Sequence, residues 1–380
     1  MATSTYKTMI KPILTSLLLL TVSTTASETR VFIGTGDKGI HTSVLNQNNG
    51  TLSEPVFAAE IPGSGFLAKH PQLPVLYSTG EPERKTGSVE AFKIEPNGKL
   101  QPLGKQPSAG EKLCHIRLDS TSKMIMGSNY REGYVISFPI QADGSIGKMA
   151  SKHVHKGSSV NPKRQTSPHA HSIYSGPDNK FAYAPDLGID KVVIYKINPA
   201  TAELTPAGSA PAPAGAGPRH MKFGRDGKQA YVLNELTLSI SVYDRDAATG
   251  KLTSIQVVST LPDGEDKEKR SCSEIRVSKD GKFIYCANRD LSDKGRDSLS
   301  VFKVGEGGKI TRIQTIGAKV WVPRNINLDP SGKWLLVAGQ RSNDVPVFKI
   351  DPSTGKLSPT DVKISVPKAM CIEFAPMTVK

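Results

Sequence analysis

Residues 217–244, GPRHMKFGRDGKQAYVLNELTLSISVYD, decide the fold. A short run, His220 to Phe223, leads to a turn at Asp226-Gly-Lys and then to an apolar run ending at Asn234. A second alternating run, Ile240 to Asp244, follows. Apolar residues alternating over short runs, with turn formers between them, mark β-strands joined by tight turns.

The phrase recurs. Its turn-and-strand core reads Lys123-MIMGSN, Lys180-FAYAPD, Lys228-QAYVLN, Lys282-FIYCAN and Lys333-WLLVAG, with weaker copies at Pro74-VLYSTG and Arg30-VFIGTG. Seven copies spaced by 44 to 57 residues, each with four short strands, describe an all-β seven-bladed propeller. A solenoid is the competing arrangement, but it needs polar capping repeats at its ends. The ends argue for closure instead. Cys371-Ile-Glu-Phe fills the inner-strand slot with no second strand after it, and VFIGTG is a second strand with no inner strand before it. Paired, the N- and C-terminal strands complete one blade and remove the open edges. No segment reads as a long amphipathic helix.

The first residues stand apart. Lys7 and Lys11 precede an apolar run from Ile13 to Val22 and small residues ending near Ala26. That order is expected of a secretory signal peptide over 1–26, with a single propeller domain over 27–380. An uncleaved anchor is the alternative, although the run is short for a membrane span. The formal net charge is +14, or about +12 without Lys7 and Lys11. There is no lysine- and arginine-rich run interleaved with aromatics, and export separates the chain from nucleic acid. No nucleic-acid partner and no stable membrane insertion are expected. The charge reads as a solvated face with a local anion site. The expected state is a periplasmic or secreted monomer.

Aligning the repeats compares positions around the ring. The first residues of the inner strands run Leu67, His115, His171, His220, Glu274, Asn325 and Cys371, each preceded by Phe66, Cys114, Ala170, Arg219, Ser273, Arg324 and Met370. The ends of the second strands run Gly36, Gly80, Asn129, Asp186, Asn234, Asn288 and Gly339; Asp37, Glu81, Tyr130, Leu187, Glu235, Arg289 and Gln340 follow them. An antiparallel neighbour ends where the inner strand begins, so these columns meet at one end of the channel. Histidines, arginines and carboxylates gathered there are costly unless they are paired or face a ligand. A structural, water-filled network is the alternative.

These stretches resemble the lactonase family of seven-bladed propellers, which includes propeller-type 6-phosphogluconolactonases and carboxy-cis,cis-muconate cyclases. SPHAHSIYSGPDNKFAYAPDLGIDKVVIYKI from Ser167, GPRHMKFGRDGKQAYVLNEL from Gly217, SEIRVSKDGKFIYCANRD from Ser273 and VPRNINLDPSGKWLLVAGQRSNDVPVFKID from Val322 carry the likeness, with LCHIRLDSTSKMIMGSNY at Leu113. The resemblance implies hydrolysis of a sugar (aldono) lactone by a carboxylic-ester hydrolase. Its functional residues carry over onto His171, Arg219, Glu235 and Arg289, with His169, His220, Glu274 and Arg324 close by. His115, Asn234 and Asn288 join the substrate-binding candidates through the channel columns. The first two blades depart from the pattern, and a signal peptide fits poorly with a cytoplasmic phosphosugar.

Opening a lactone needs an activated water, a base for its proton and positive charge at the developing oxyanion. Glu235 or Glu274 is the expected base, His171 or His220 the acid, and Arg219, Arg289 and Arg324 the anion clamp. Glu235 and Arg289 could instead form a structural inter-blade ion pair. No GxSxG is present, which disfavours an acyl-serine route. His169-Ala-His171 has metal-ligand spacing without a third ligand, so neither metal nor cofactor is expected. His153 and His155 are expected on the surface. Cys114, Cys272, Cys286 and Cys371 show no CxxC spacing; Cys286 is expected free and buried, and pairing of the others stays open. A muconate-type cyclase, or a propeller that only binds a ligand or protein, are the competing functions.

Overall fold

A computed structural model describes residues 1–3, 27–81, 83, 85–292 and 294–377. The expected signal peptide falls almost wholly on 4–26 and lies outside the described residues. Among the described residues no helix is long and apolar enough to cross a membrane.

Seven four-stranded antiparallel sheets form the ring, and within each the strands follow chain order from the axis outward, apart from the closing blade. We number the blades in chain order. Blade 1 combines 28–60 with the C-terminal strand Ala369–Pro376; blades 2 to 7 span 67–107, 115–154, 170–211, 218–259, 270–317 and 323–365. In blade 1 the strand Glu28–Thr35 pairs with Ala369–Pro376, setting Val31 opposite Phe374 and Ile33 opposite Ile372. The ring is closed by the two termini, as the unmatched half-repeats required.

Each blade is apolar on both faces because it packs between two neighbours. Tyr231, Leu233 and Val242 of blade 5 meet Ile275, Ile284, Cys286 and Phe302 of blade 6. Val31 and Ile33 pack with Trp334, Leu336 and Val347 across the seam between blades 1 and 7. Each such Val, Leu or Ile contributes about 1.5–3 kcal/mol by leaving water. Tight turns, Asp-Gly-Lys in blades 5 and 6 and Ser-Gly-Lys in blade 7, join the inner strand to the second. Gly227, Gly281 and Gly332 take left-handed backbone there (φ +73°, +77° and +74°), and Asn179 takes it in blade 4 (φ +57°). The four cysteines are free thiols, with Cys286 buried in its strand.

Candidate active site

Side chains on a regular strand alternate between faces, so only every second inner-strand residue should face the channel. Four blades break this rule at the start of the inner strand, the closing blade among them between Ala369 and Cys371. The ladder slips between Pro218 and His220, between Cys272 and Ile275, and between Pro323 and Asn325. A bulge of this kind re-aims a side chain. As a result both Arg219 and His220, and both Arg324 and Asn325, line one cavity at the channel mouth.

That cavity has a volume of about 450 Å³. Among the described residues Lys112, Arg131, Arg164, Arg219, Arg289 and Arg324 line it, against two carboxylates, Glu81 and Glu235. Phe66, Cys114, Tyr130, His171, His220 and Met370 complete most of the wall. Positive charge dominates.

Glu235 is the hub. Its carboxylate accepts from Arg164 at 2.8 Å and from Arg219 Nε at 2.9 Å, and lies 3.1 Å from Arg289. Burial alone would raise its pKa, but Arg289, Arg219, His171 and Arg164 hold it well below the usual carboxylate range. Arg164 also donates to the Tyr130 hydroxyl at 3.0 Å. Arg289 is fixed by the Cys272 carbonyl at 2.7 Å, while its buried Nε has no partner. Arg324 has no ion-pair or hydrogen-bond partner among the described residues. Burial, then Arg219 and Arg289, push its pKa down to about 9.

The two lining imidazoles differ. His220 Nδ1 meets Glu274 at 3.0 Å and Nε2 meets Arg219 at 3.2 Å, so both ring nitrogens are engaged. His171 Nε2 is 3.8 Å from Glu235, and Nδ1 is 4.0 Å from Cys114 Sγ. Burial, followed by Arg219, holds His171 well below 6.5, and burial pushes His220 down to about 3. Both are neutral at pH 7. Burial also raises the Cys114 thiol, which keeps it protonated. Beneath them Phe66 and His115 pack tilted against each other with ring centroids 4.4 Å apart, and His115 meets Tyr174 at 4.7 Å, an aromatic plug across the channel.

Residues 22–374 match the family described as lactonase, 7-bladed beta-propeller. The chain belongs to that family. Membership places it among lactone hydrolases. A 6-phosphogluconolactonase of Bacillus subtilis is 33% identical over 349 residues, covering 90% of this chain and 97% of the relative. One from Formosa agariphila is 31% identical over 328 residues, covering 84% and 90%. The structure of a Pseudomonas aeruginosa periplasmic gluconolactonase superposes with a TM-score of 0.86 at 27% identity, covering 93% of this chain and 100% of that one.

Within this lactonase-family ring, His171, Arg219, His220, Glu235, Arg289 and Arg324 come together on the cavity wall as their columns implied. Five other candidates do not line it. Glu274 is fully buried behind His220, bonded to Arg276 at 2.6 Å and Asn325 at 2.7 Å. His115 lies in the plug. His169 stacks on Tyr130 and bonds the Tyr130 carbonyl at 2.7 Å, behind the wall. Asn234 and Asn288 point into their own blades, each donating to two serine hydroxyls, Ser239 and Ser241 or Ser298 and Ser300. His155, expected on the surface, is buried between Asp186 at 2.6 Å and the Tyr195 hydroxyl at 2.8 Å. The residues that sequence reasoning missed are Lys112, Arg131 and Arg164. Only Arg164 left a trace, since it arrives on the insertion that makes the step from Lys123 to Lys180 the longest. Among the described residues no group of three His, Cys, Asp or Glu is placed to hold a metal.

Proposed function

We propose that this chain hydrolyses a sugar lactone carrying an anionic group, phosphate or carboxylate, with His171 as the general base. The observation that carries this is the unpartnered Arg324 guanidinium beside Arg219 and Arg289, in the same cavity as a neutral imidazole with an unengaged nitrogen. Guanidinium groups bind such anions bidentately, and Arg324 has no protein partner among the described residues to occupy it. Neutral His171 takes a proton from water as the water oxygen bonds to the lactone carbonyl carbon. The oxyanion that forms is stabilised by the arginine cluster. When the ring C–O bond breaks, His171 returns the proton to the departing ring oxygen. The product is a hydroxy acid, which releases one proton near neutral pH.

A glutamate base fits the geometry less well. Both Glu235 oxygens are taken by guanidinium groups, and those of Glu274 by His220, Arg276 and Asn325, so neither carboxylate has an oxygen free to accept a proton from water. Glu235 is instead the residue that spaces Arg164, Arg219 and Arg289. His220, with both nitrogens engaged, positions Arg219. We further propose that 1–26 export the chain and that hydrolysis takes place outside the cytoplasm. Supporting this is the likeness to a protein named as a periplasmic gluconolactonase.

The test is a panel of aldonolactones, phosphorylated and neutral, followed by proton release. Catalysed opening with kcat/KM at least about tenfold higher for the anionic members is expected, the worth of one charged hydrogen bond. Equal rates for both classes would remove the anion clamp, and no rate above spontaneous opening would remove the function.

A further inference from the structure

The far end of the channel carries a second concentration of positive charge that the proposed reaction does not use. Two residues further along each inner strand, about 7 Å deeper, side chains again face the axis. There stand Lys69, Arg117, Lys222 and Arg276, with Glu373 on the C-terminal strand. Two cavities of about 320 and 340 Å³ open at this mouth and share Arg117 and Glu373 in their walls. The aromatic plug separates them from the first cavity.

The cations are poorly neutralised. Arg117 is 3.7 Å from Glu373, a loose pair, and its side chain is 44% exposed. Arg276 is bound to Glu274 at 2.6 Å and to Asn327 at 3.0 Å, but that carboxylate is already shared with His220. Lys69 spends its ammonium on the carbonyls of His70 and Leu73. Lys222 is the outlier. Its Nζ has no hydrogen-bond acceptor among the described residues, sits 4.0 Å from Glu274 and lies 4.3 Å above the Tyr174 ring. Beside it the Tyr174 hydroxyl is buried without a partner, in a side chain only 5% exposed. A buried donor left unsatisfied and an ammonium without an acceptor both carry a desolvation cost. One acceptor placed between them removes both.

We infer that this mouth is a second anion site, which binds one small free oxyanion of the phosphate or sulfate class through Lys222, the Tyr174 hydroxyl and Arg117. Tetrahedral oxyanions supply several acceptors at once, which suits a phenol in the wall of one cavity and an ammonium in the wall of the other, joined by the Arg117 guanidinium that both share. Burial and then Arg276 hold the Lys222 ammonium well below its ordinary range, and an oxyanion bound beside it would favour the charged form again. The site is distinct from the first: Glu274 stands between them, with one oxygen facing both His220 Nδ1 and Arg276.

Inorganic phosphate titrated calorimetrically into the full chain tests this. A binding event is expected that Arg324→Met leaves in place and that the pair Arg117→Gln with Lys222→Met weakens by at least about tenfold. Arg117→Gln alone, at a side chain 44% exposed, should weaken the same event severalfold; it decides the matter if the double variant does not fold. No phosphate bound by the Arg324→Met chain, or binding unmoved by Arg117→Gln and by the pair, overturns the site.

Discussion

Replacing Glu235 with glutamine separates its two conceivable roles. The carboxylate neutralises Arg219 and Arg289 in a setting where all three side chains are less than a tenth exposed. Arg164 is 37% exposed at its side chain, so its share is at most about 1 kcal/mol. Removing one partner of a buried ion pair costs about 3–5 kcal/mol, because the remaining charge stays buried. Glutamine keeps one carbonyl oxygen and can still accept from one guanidinium, so the low end, about 3 kcal/mol, is expected. At about 2.1 cal/mol/K per residue over roughly 350 residues, a degree of Tm corresponds to about 0.7 kcal/mol. The predicted drop is therefore about 4 °C.

The same substitution leaves the cavity with more uncompensated positive charge, so an added anion should now stabilise it more than it stabilises the wild type. Scanning calorimetry with and without millimolar phosphate reads both effects. Glu235→Gln is expected to melt lower in phosphate-free buffer and to recover a larger share of Tm when phosphate is added. Its turnover should fall without a change in the shape of the pH–rate profile, since His171 still carries the proton. An unchanged Tm together with complete loss of turnover would refute this reasoning and return the base to Glu235.

Three further outcomes follow from the same geometry. His171→Gln should lower kcat by about 10²–10⁴-fold in a proton-release assay, the usual worth of a general base, and a change within threefold would exclude it from proton transfer. Arg324→Met should cut kcat/KM for an anionic lactone by about 10–100-fold while sparing a neutral one, and should leave Tm unchanged or higher, because it removes a buried cation with no protein partner. Acid should destabilise the ring early. His115, His171 and His220 are held well below the 6.5 of the unfolded chain, so below that pH the unfolded state binds more protons. Stability is then complete above about pH 6.5 and is lost as pH falls toward the depressed folded values, with Glu235 and Glu274 adding to the loss below about 4.5. A Tm that stays level or rises between pH 8 and pH 5 would contradict these burials.

The ring could be read from the chain because each blade repeats one grammar of turn and strand, and because two half-repeats at the termini have only each other to pair with. The site was half legible for a related reason. Column comparison finds residues that occupy equivalent places, so it reached His171, Arg219, Glu235, Arg289 and Arg324. It could not see which of two adjacent residues faces the axis. Asn234 and Glu235 are neighbours, and regular alternation turns the asparagine into its blade, onto Ser239 and Ser241. Arg219 and His220 are also neighbours, yet a bulge lets both reach the cavity. No hydrophobic pattern encodes a bulge. Nor could columns find Arg164, which comes from an insertion with no counterpart in other blades. The choice of base was hidden for a different reason: acidity depends on distances. A glutamate in a channel reads as a base until three guanidinium groups are found on it. At that point its oxygens are taken, and the role passes to the imidazole that burial, and after it Arg219, keeps neutral with one ring nitrogen free.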